Sequence, residues 1–294
     1  MRISNPVMTA SGTAGFADEL ARVSDLAAIG AVVTKTATSN PREGNATPRT
    51  VETPSGMLNS IGLPNPGLEG IVRSYQRRWQ AMPPAVVVSL AGYSLAEFAS
   101  LARMLEGVPG VDAIEANFSC PNVANGLEFA TDADLLSAAV ATIRDNCSLP
   151  LLAKLSPNVT DMRPLALAAQ AAGANGLTIM NTVLGMKIDP ASRRPLLGGV
   201  FGGLSGPAIR PLGVRFVFEV YPEVDIPIVG VGGISGLEDA LEYILAGAAA
   251  IQLGTINFVA ADRAALLAEG IKRYCGEAGV DSLADIVGLA HRSG

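Results

Sequence analysis

The chain of 294 residues contains a single histidine, His291, close to its end. That scarcity excludes a multi-histidine metal centre and argues against a histidine-based catalytic triad. Its three cysteines, Cys120, Cys147 and Cys275, stand far apart with no CxxC spacing. They outline neither a disulfide framework nor a zinc site, so no metal is expected. Free thiols fit a reducing cytoplasm, the expected location. No apolar run approaches the roughly 18 residues that read as a membrane span. The opening Met1-Arg2-Ile3-Ser4-Asn5-Pro6 lacks the apolar core of a secretion signal, so neither export nor a membrane is expected. Charged residues make up only 16%, with a net charge of -6. Lysine and arginine form no stripe, which argues against nucleic acid as a partner.

What the chain does have is apolar material in short pieces. Hydrophobic residues make up 49%, enough at this length to bury roughly three quarters of the unfolded surface. Strands are expected at residues 6–10, 31–35, 85–90, 113–117, 151–155, 176–181, 227–231 and 249–254. Helices are expected between and after them, at 18–29, 68–80, 95–106, 132–146, 162–172, 209–220, 237–246 and 260–274. Thr131-Asp132-Ala133-Asp134 reads as a helix start, and Ser235-Gly236-Leu237-Glu238 has capping-box spacing. Eight strands each followed by a helix specify an α/β fold, a (β/α)8 TIM barrel. A doubly wound sheet is the alternative, but the early GxGxxG that a dinucleotide requires is missing. Two long connections, residues 36–67 and 182–208, follow strands and are expected to cover the C-terminal face of the barrel as long loops.

In such a barrel the chemistry sits at the C-terminal ends of the strands. That rule gathers Lys35, Asn117, Cys120, Lys154, Asn181, Gly232 and Gly254 onto one face. Gly230-Val231-Gly232-Gly233-Ile234-Ser235-Gly236 ends one strand and opens a helix, and Gly254-Thr255 ends the next. Glycines there either cradle a phosphate on backbone N–H groups or simply turn the chain tightly. Lys35 and Lys154 end apolar strands, where an ammonium is costly to bury without an anion. Asn59, Asn117, Asn122 and Asn181 carry carboxamides suited to a ring with imide N–H and C=O groups, or to turns of their own. Cys147 and Cys275 read as small buried hydrophobes. Cys120 differs, because Ser119, Pro121 and Asn122 surround it with a loop. A thiol of ordinary pKa, about 8.5, serves best as a base at mildly alkaline pH.

These residues together resemble the class 1 dihydroorotate dehydrogenases over nearly the whole chain. The resemblance runs through Asn5-Pro6-Val7-Met8-Thr9-Ala10-Ser11-Gly12, Lys35-Thr36 and Pro48-Arg49-Thr50-Val51-Glu52-Thr53-Pro54. It continues in Met57-Leu58-Asn59-Ser60-Ile61-Gly62-Leu63-Pro64-Asn65-Pro66-Gly67, in the cysteine loop from Asn117 to Val123, and in Asn181-Thr182. Gly202-Gly203-Leu204-Ser205-Gly206-Pro207-Ala208 and Gly232-Gly233-Ile234 complete it. It implies one domain over residues 1–294 that holds one FMN and oxidises (S)-dihydroorotate to orotate in pyrimidine biosynthesis. In that chemistry Cys120 takes the proton from substrate C5 while hydride passes from C6 to flavin N5. Lys35, Asn59, Ser60, Ile61, Gly62, Leu63, Asn117, Asn181 and Thr182 are implied to hold the substrate. Ser11, Lys35, Thr36, Asn117, Lys154, Met180, Gly206, Gly232, Gly233, Gly254 and Thr255 are implied to hold FMN. A serine in place of Cys120 marks the membrane-linked class 2 enzymes. One departure is Ser89, in Val88-Ser89-Leu90-Ala91-Gly92, where the family suggests an asparagine near the flavin.

Asn181-Thr182-Val183-Leu184-Gly185-Met186-Lys187-Ile188-Asp189-Pro190 and Gly254-Thr255-Ile256-Asn257-Phe258 look more like the NAD-linked B type than the fumarate-linked A type. The B type implies a homodimeric core and a partner subunit carrying FAD and a [2Fe–2S] cluster, together a heterotetramer. This chain lacks the clustered cysteines that would ligate such a cluster. Other readings stay open: an A-type enzyme, a flavin barrel acting on another pyrimidine, a sugar-phosphate aldolase or isomerase using Lys35 or Lys154, or a non-catalytic barrel.

Overall fold

The structure is a computed structural model that describes residues 1–16, 18–118, 129 and 131–292. Cys120 and its neighbours Ser119, Pro121, Asn122 and Val123 lie outside the described residues. Along the chain come β1 (Val7–Thr9), β2 (Ala31–Val33), β3 (Thr50–Thr53), β4 (Gly56–Asn59), β5 (Ala85–Leu90), β6 (Ala113–Asn117) and β7 (Leu151–Lys154). They are followed by β8 (Gly176–Ile179), β9 (Val183–Gly185), β10 (Ile188–Asp189), β11 (Arg194–Pro195), β12 (Gly202–Ser205), β13 (Ile228–Val231) and β14 (Ala248–Leu253). Strands β1, β2, β5, β6, β7, β8, β13 and β14 pair in parallel and close a barrel. Closure is made at β1, whose Val7 registers with Ile251 on β14 and whose Met8 registers with Ala31 on β2. The expected (β/α)8 barrel is therefore what the chain forms.

Period-two alternation explains the barrel wall. One set of strand residues, including Val32, Val86, Val88, Ile114, Leu151, Leu177 and Ile251, packs outward in the main apolar core with helix residues. The alternate set, Met8, Ala31, Val33, Val87, Ala113, Leu152, Val229 and Ala250, forms a second apolar cluster. Two residues further along the same faces the chemistry changes: Ser89, Glu115, Thr178 and Gln252 are all completely buried. Polar groups thus replace apolar ones toward the strand ends, where Lys35, Asn117 and Lys154 follow.

The helices α1 (Asp18–Ala21), α2 (Leu68–Trp79), α3 (Leu95–Leu105), α4 (Ala133–Arg144), α5 (Arg163–Ala171), α6 (Arg210–Val220), α7 (Leu237–Ala246) and α8 (Arg263–Ala278) match the expected series except at the start. The helix expected over residues 18–29 is only one turn, followed by a 3-10 turn at Leu26–Ala28. The reason is local. Asp25 Oδ1 accepts from the Ala27 N–H at 3.0 Å and starts a new turn instead of continuing the old one. The start of α4 is as expected, with Asp132 Oδ1 accepting from Asp134 and Leu135, both at 2.9 Å. At α7 the capping carboxylate is Asp239, not Glu238: its Oδ2 accepts from the backbone of Ser235 (2.8 Å) and Gly236 (3.0 Å).

The two long connections are not bare loops. The β3–β4 hairpin from the first joins β12 and β9 from the second in one four-stranded antiparallel sheet. Gly203 sits at the junction, in register with Asn59 on β4 and Leu184 on β9. Segments more than a hundred residues apart therefore order each other, which no local pattern announces. Among the described residues, no helix is long and apolar enough to cross a membrane.

Candidate active site

Between this sheet and the barrel mouth lies a cavity of about 520 Å³. The barrel contributes Ser11, Lys35, Thr36, Asn117, Lys154, Met180, Asn181, Gly232, Gly233, Gly254 and Thr255 to its wall. The covering segments contribute Asn59, Ile61, Gly62, Leu63, Thr182 and Gly206. The structure thus brings together every residue that the resemblance implies for the site except two. Ser60 is completely buried, away from the cavity wall, and accepts from Asn45 Nδ2 at 3.0 Å. Cys120 lies outside the described residues.

At one end, carboxamides meet. Asn181 Nδ2 donates to Asn117 Oδ1 at 3.1 Å, and Asn181 Oδ1 accepts from the Thr182 backbone at 2.8 Å. Asn59 Nδ2 donates to the Gly203 carbonyl at 3.1 Å, which fixes the end of β4 against β12. The buried Lys154 ammonium donates to Ser11 Oγ and to Glu115 Oε1, both at 3.3 Å. Ser89 is completely buried, its hydroxyl 3.0 Å from Thr36 Oγ1, so it supports a wall residue from behind.

At the other end, the backbone is bare. Among the described residues, the N–H groups of Gly232, Gly233, Gly254 and Thr255 have no protein acceptor. Gly233 has φ +72, and a Cβ there would stand 2.8 Å from the Gly206 carbonyl oxygen and 2.9 Å from the Arg210 nitrogen. Only glycine lets these three backbone segments converge. Tyr243 fixes the turn by donating its hydroxyl to the Gly232 carbonyl at 2.7 Å. Burial pushes that phenol well above its ordinary range, so it stays a donor. Arg210 at the start of α6 is ion-paired to Asp239, which joins the two helix starts beside this turn.

Sequence reasoning missed Thr50 and Met57 of the hairpin, and Phe258 and Val259 beyond β14. Thr50, Met57 and Phe258 stand within the quoted motifs without an assigned role, and it is the sheet and the barrel closure that bring them to the cavity. The apolar exposure of Phe258 (63%) and Val259 (78%) contrasts with their place on the cavity rim.

Cys147 is buried and does not line the cavity. Burial pushes its thiol up to about 11, and a hydrogen bond to the Glu106 carboxylate adds to the rise. At pH 8 only about one molecule in a thousand carries that thiolate, and the thiolate is the reactive form. Brief alkylation of the native protein at pH 8 is therefore expected to leave Cys147 unmodified, and alkylation after denaturation to modify it fully, as read by peptide mass spectrometry.

Fold and cavity define the class, an eight-stranded barrel enzyme with its site at the strand ends under a β cover. The sequence profile of dihydroorotate dehydrogenase matches residues 1–274, and the chain belongs to that family. It is 51% identical over 295 aligned positions to dihydroorotate dehydrogenase B (NAD(+)), catalytic subunit, of Desulforudis audaxviator, covering 100% of this chain and 96% of the relative. The protein of the same name from Desulforamulus reducens is 45% identical, with 98% and 95% covered. Among solved structures, that of DHODH from Eimeria tenella in complex with ferulenol aligns with a TM-score of 0.82 at 21% identity, covering 98% of this chain and 85% of the other. At that identity the likeness concerns the fold.

Proposed function

We propose that this chain is the catalytic subunit of an NAD-linked dihydroorotate dehydrogenase, oxidising (S)-dihydroorotate to orotate in pyrimidine biosynthesis. The observation that carries the reading is one cavity with two kinds of wall. Unpaired backbone N–H groups stand at one end, and an asparagine pair with two lysines stands toward the other. Full-length relatives with that printed name supply the choice of substrate.

The residues present fit FMN. The free N–H groups of Gly232, Gly233, Gly254 and Thr255 suit its phosphate, which backbone donors at turns bind without a counter-charge. Ser11, Thr36, Met180 and Gly206 line the intervening wall, and Lys35, Asn117 and Lys154 the part nearest the strand ends. FMN, when bound, supplies the hydride acceptor. Lys35, Asn117, Asn181 and Thr182 orient the pyrimidine ring and its carboxylate, with Asn59, Ile61, Gly62 and Leu63 closing over it and Ser60 holding that loop through Asn45. Cys120 accepts the C5 proton.

The partner is an iron–sulfur subunit with FAD, which passes electrons to NAD, and the assembly is a heterotetramer built on a homodimer of this chain. The work is cytoplasmic. Purified chain is expected to be yellow and to bleach anaerobically on adding dihydroorotate. Colourless protein that cannot be reconstituted with FMN would sink the flavin reading. Rapid reoxidation by fumarate, with none by NAD and partner, would favour an A-type enzyme. Bleaching by a different dihydropyrimidine alone would move the substrate.

A further inference from the structure

Among the described residues, the barrel interior holds a carboxylate that the proposed reaction does not use. Glu115 lies on β6, is completely buried, and stands directly above the apolar plug of Val33, Val87, Ala113 and Leu152. Three other strands of the closed barrel turn a donor inward to it: Lys154 Nζ from the adjacent β7 at 3.3 Å, Thr178 Oγ1 from β8 at 3.0 Å, and Gln252 Nε2 from β14 at 2.6 Å. A buried carboxylate demands such a set, because desolvation is otherwise uncompensated. Gln252 is oriented at its own expense. Its Oε1 is buried with no donor among the described residues, while its amide N–H group serves Glu115. An acceptor-only partner accounts for that orientation.

The consequence concerns Lys154, which lines the cavity and bonds Glu115 on one side and Ser11 on another. An ammonium has three donors. Glu115 and Ser11 take two among the described residues, which fixes the direction of the third. The carboxylate also offsets the ammonium's charge where little solvent screens it.

We propose that Glu115 is a positioning residue that acts through Lys154. It fixes the ammonium at the cavity floor and moderates its charge, so that FMN there is reduced at a more negative potential than Lys154 alone would set. This inference rests on the flavin reading above. Thr178 and Gln252 hold Glu115 in place and have no other part in it.

The test is the flavin midpoint potential of the holoprotein, measured with FMN affinity. Glu115→Gln keeps the shape and removes the charge. FMN affinity is expected to stay within about threefold, and the balance to move about tenfold or more toward reduced flavin, about 30 mV more positive for a two-electron couple. In a Lys154→Met background the same change is expected to move the potential hardly at all. An unmoved potential in Glu115→Gln overturns the inference, and so does an equal shift without Lys154. Should Glu115→Gln fail to fold, Thr178→Val serves: with one donor lost the carboxylate leans harder on Lys154, and the potential moves the opposite way. No movement there overturns the inference equally. A wild-type protein that takes up no FMN overturns the flavin reading and this inference with it, whereas a yellow protein with unmoved potential overturns this inference alone.

Discussion

Cys120→Ser is expected to retain FMN and to slow its anaerobic reduction by dihydroorotate at least about 10²-fold, the lower end of what a lost general base costs. The argument starts from Asn117, the last residue of β6, which is on the cavity wall and bonded to Asn181. Cys120 follows three residues later, and three residues of extended chain reach at most about 11 Å. That reach is long enough for the Cys120 thiol to meet the place where the substrate ring is proposed to lie. A thiol of ordinary acidity, about 8.5, forms thiolate at mildly alkaline pH, whereas a serine hydroxyl stays protonated throughout. The wild-type reduction rate should accordingly rise with pH toward a plateau, and that limb should vanish in the variant. Stopped-flow bleaching is the measurement. A rate unchanged from wild type would remove Cys120 as the base. Cys147→Ser is the control, expected to leave the rate as it was, since its thiol is buried and held protonated.

How much of this was legible beforehand differs by scale. The barrel was legible because each strand is a short apolar run and each helix has a 3.6-residue pattern, both local signals. The rule that chemistry sits at strand ends then placed Lys35, Asn117, Lys154 and Asn181 on one wall. The helix over residues 18–29 misled because Asp25 caps a new turn inside an otherwise helical pattern. The covering sheet was illegible for a different reason. β3 and β4 find β12 only across more than a hundred residues, and β12 carries glycines where a strand signal needs side chains. Glu115 escaped notice because a lone acid inside Ala113-Ile114-Glu115-Ala116-Asn117 looks like an exposed strand position. Only barrel closure shows that Lys154, Thr178 and Gln252 surround it.

The glycine loop after β13 supports a second large expectation, because its glycines are not equivalent. Gly233→Val is expected to weaken FMN binding by about 10²-fold or more. The backbone there has φ +72, which is a true outlier for a β-branched residue. Left-handed backbone alone costs about 1–2 kcal/mol in a residue with a Cβ. The Cβ also falls 2.8 Å from both the Gly206 carbonyl oxygen and Arg210 Cβ, so the Gly206 segment or the start of α6 must move. Either shift carries cavity-lining N–H groups off the position proposed for the phosphate, and 1.4 kcal/mol is already tenfold in affinity. Gly236, three residues along, is the internal contrast. Its φ of -153 suits any residue, and a Cβ there meets nothing within 4 Å. Gly236→Ala should bind FMN within about twofold of wild type, because neither strain nor contact distinguishes it. Titration of apoprotein with FMN, followed by quenching of flavin fluorescence, reads both. Equal loss in the two variants would show that the loop tolerates no side chain for a general folding reason. Wild-type affinity in Gly233→Val would show that the phosphate is held somewhere else.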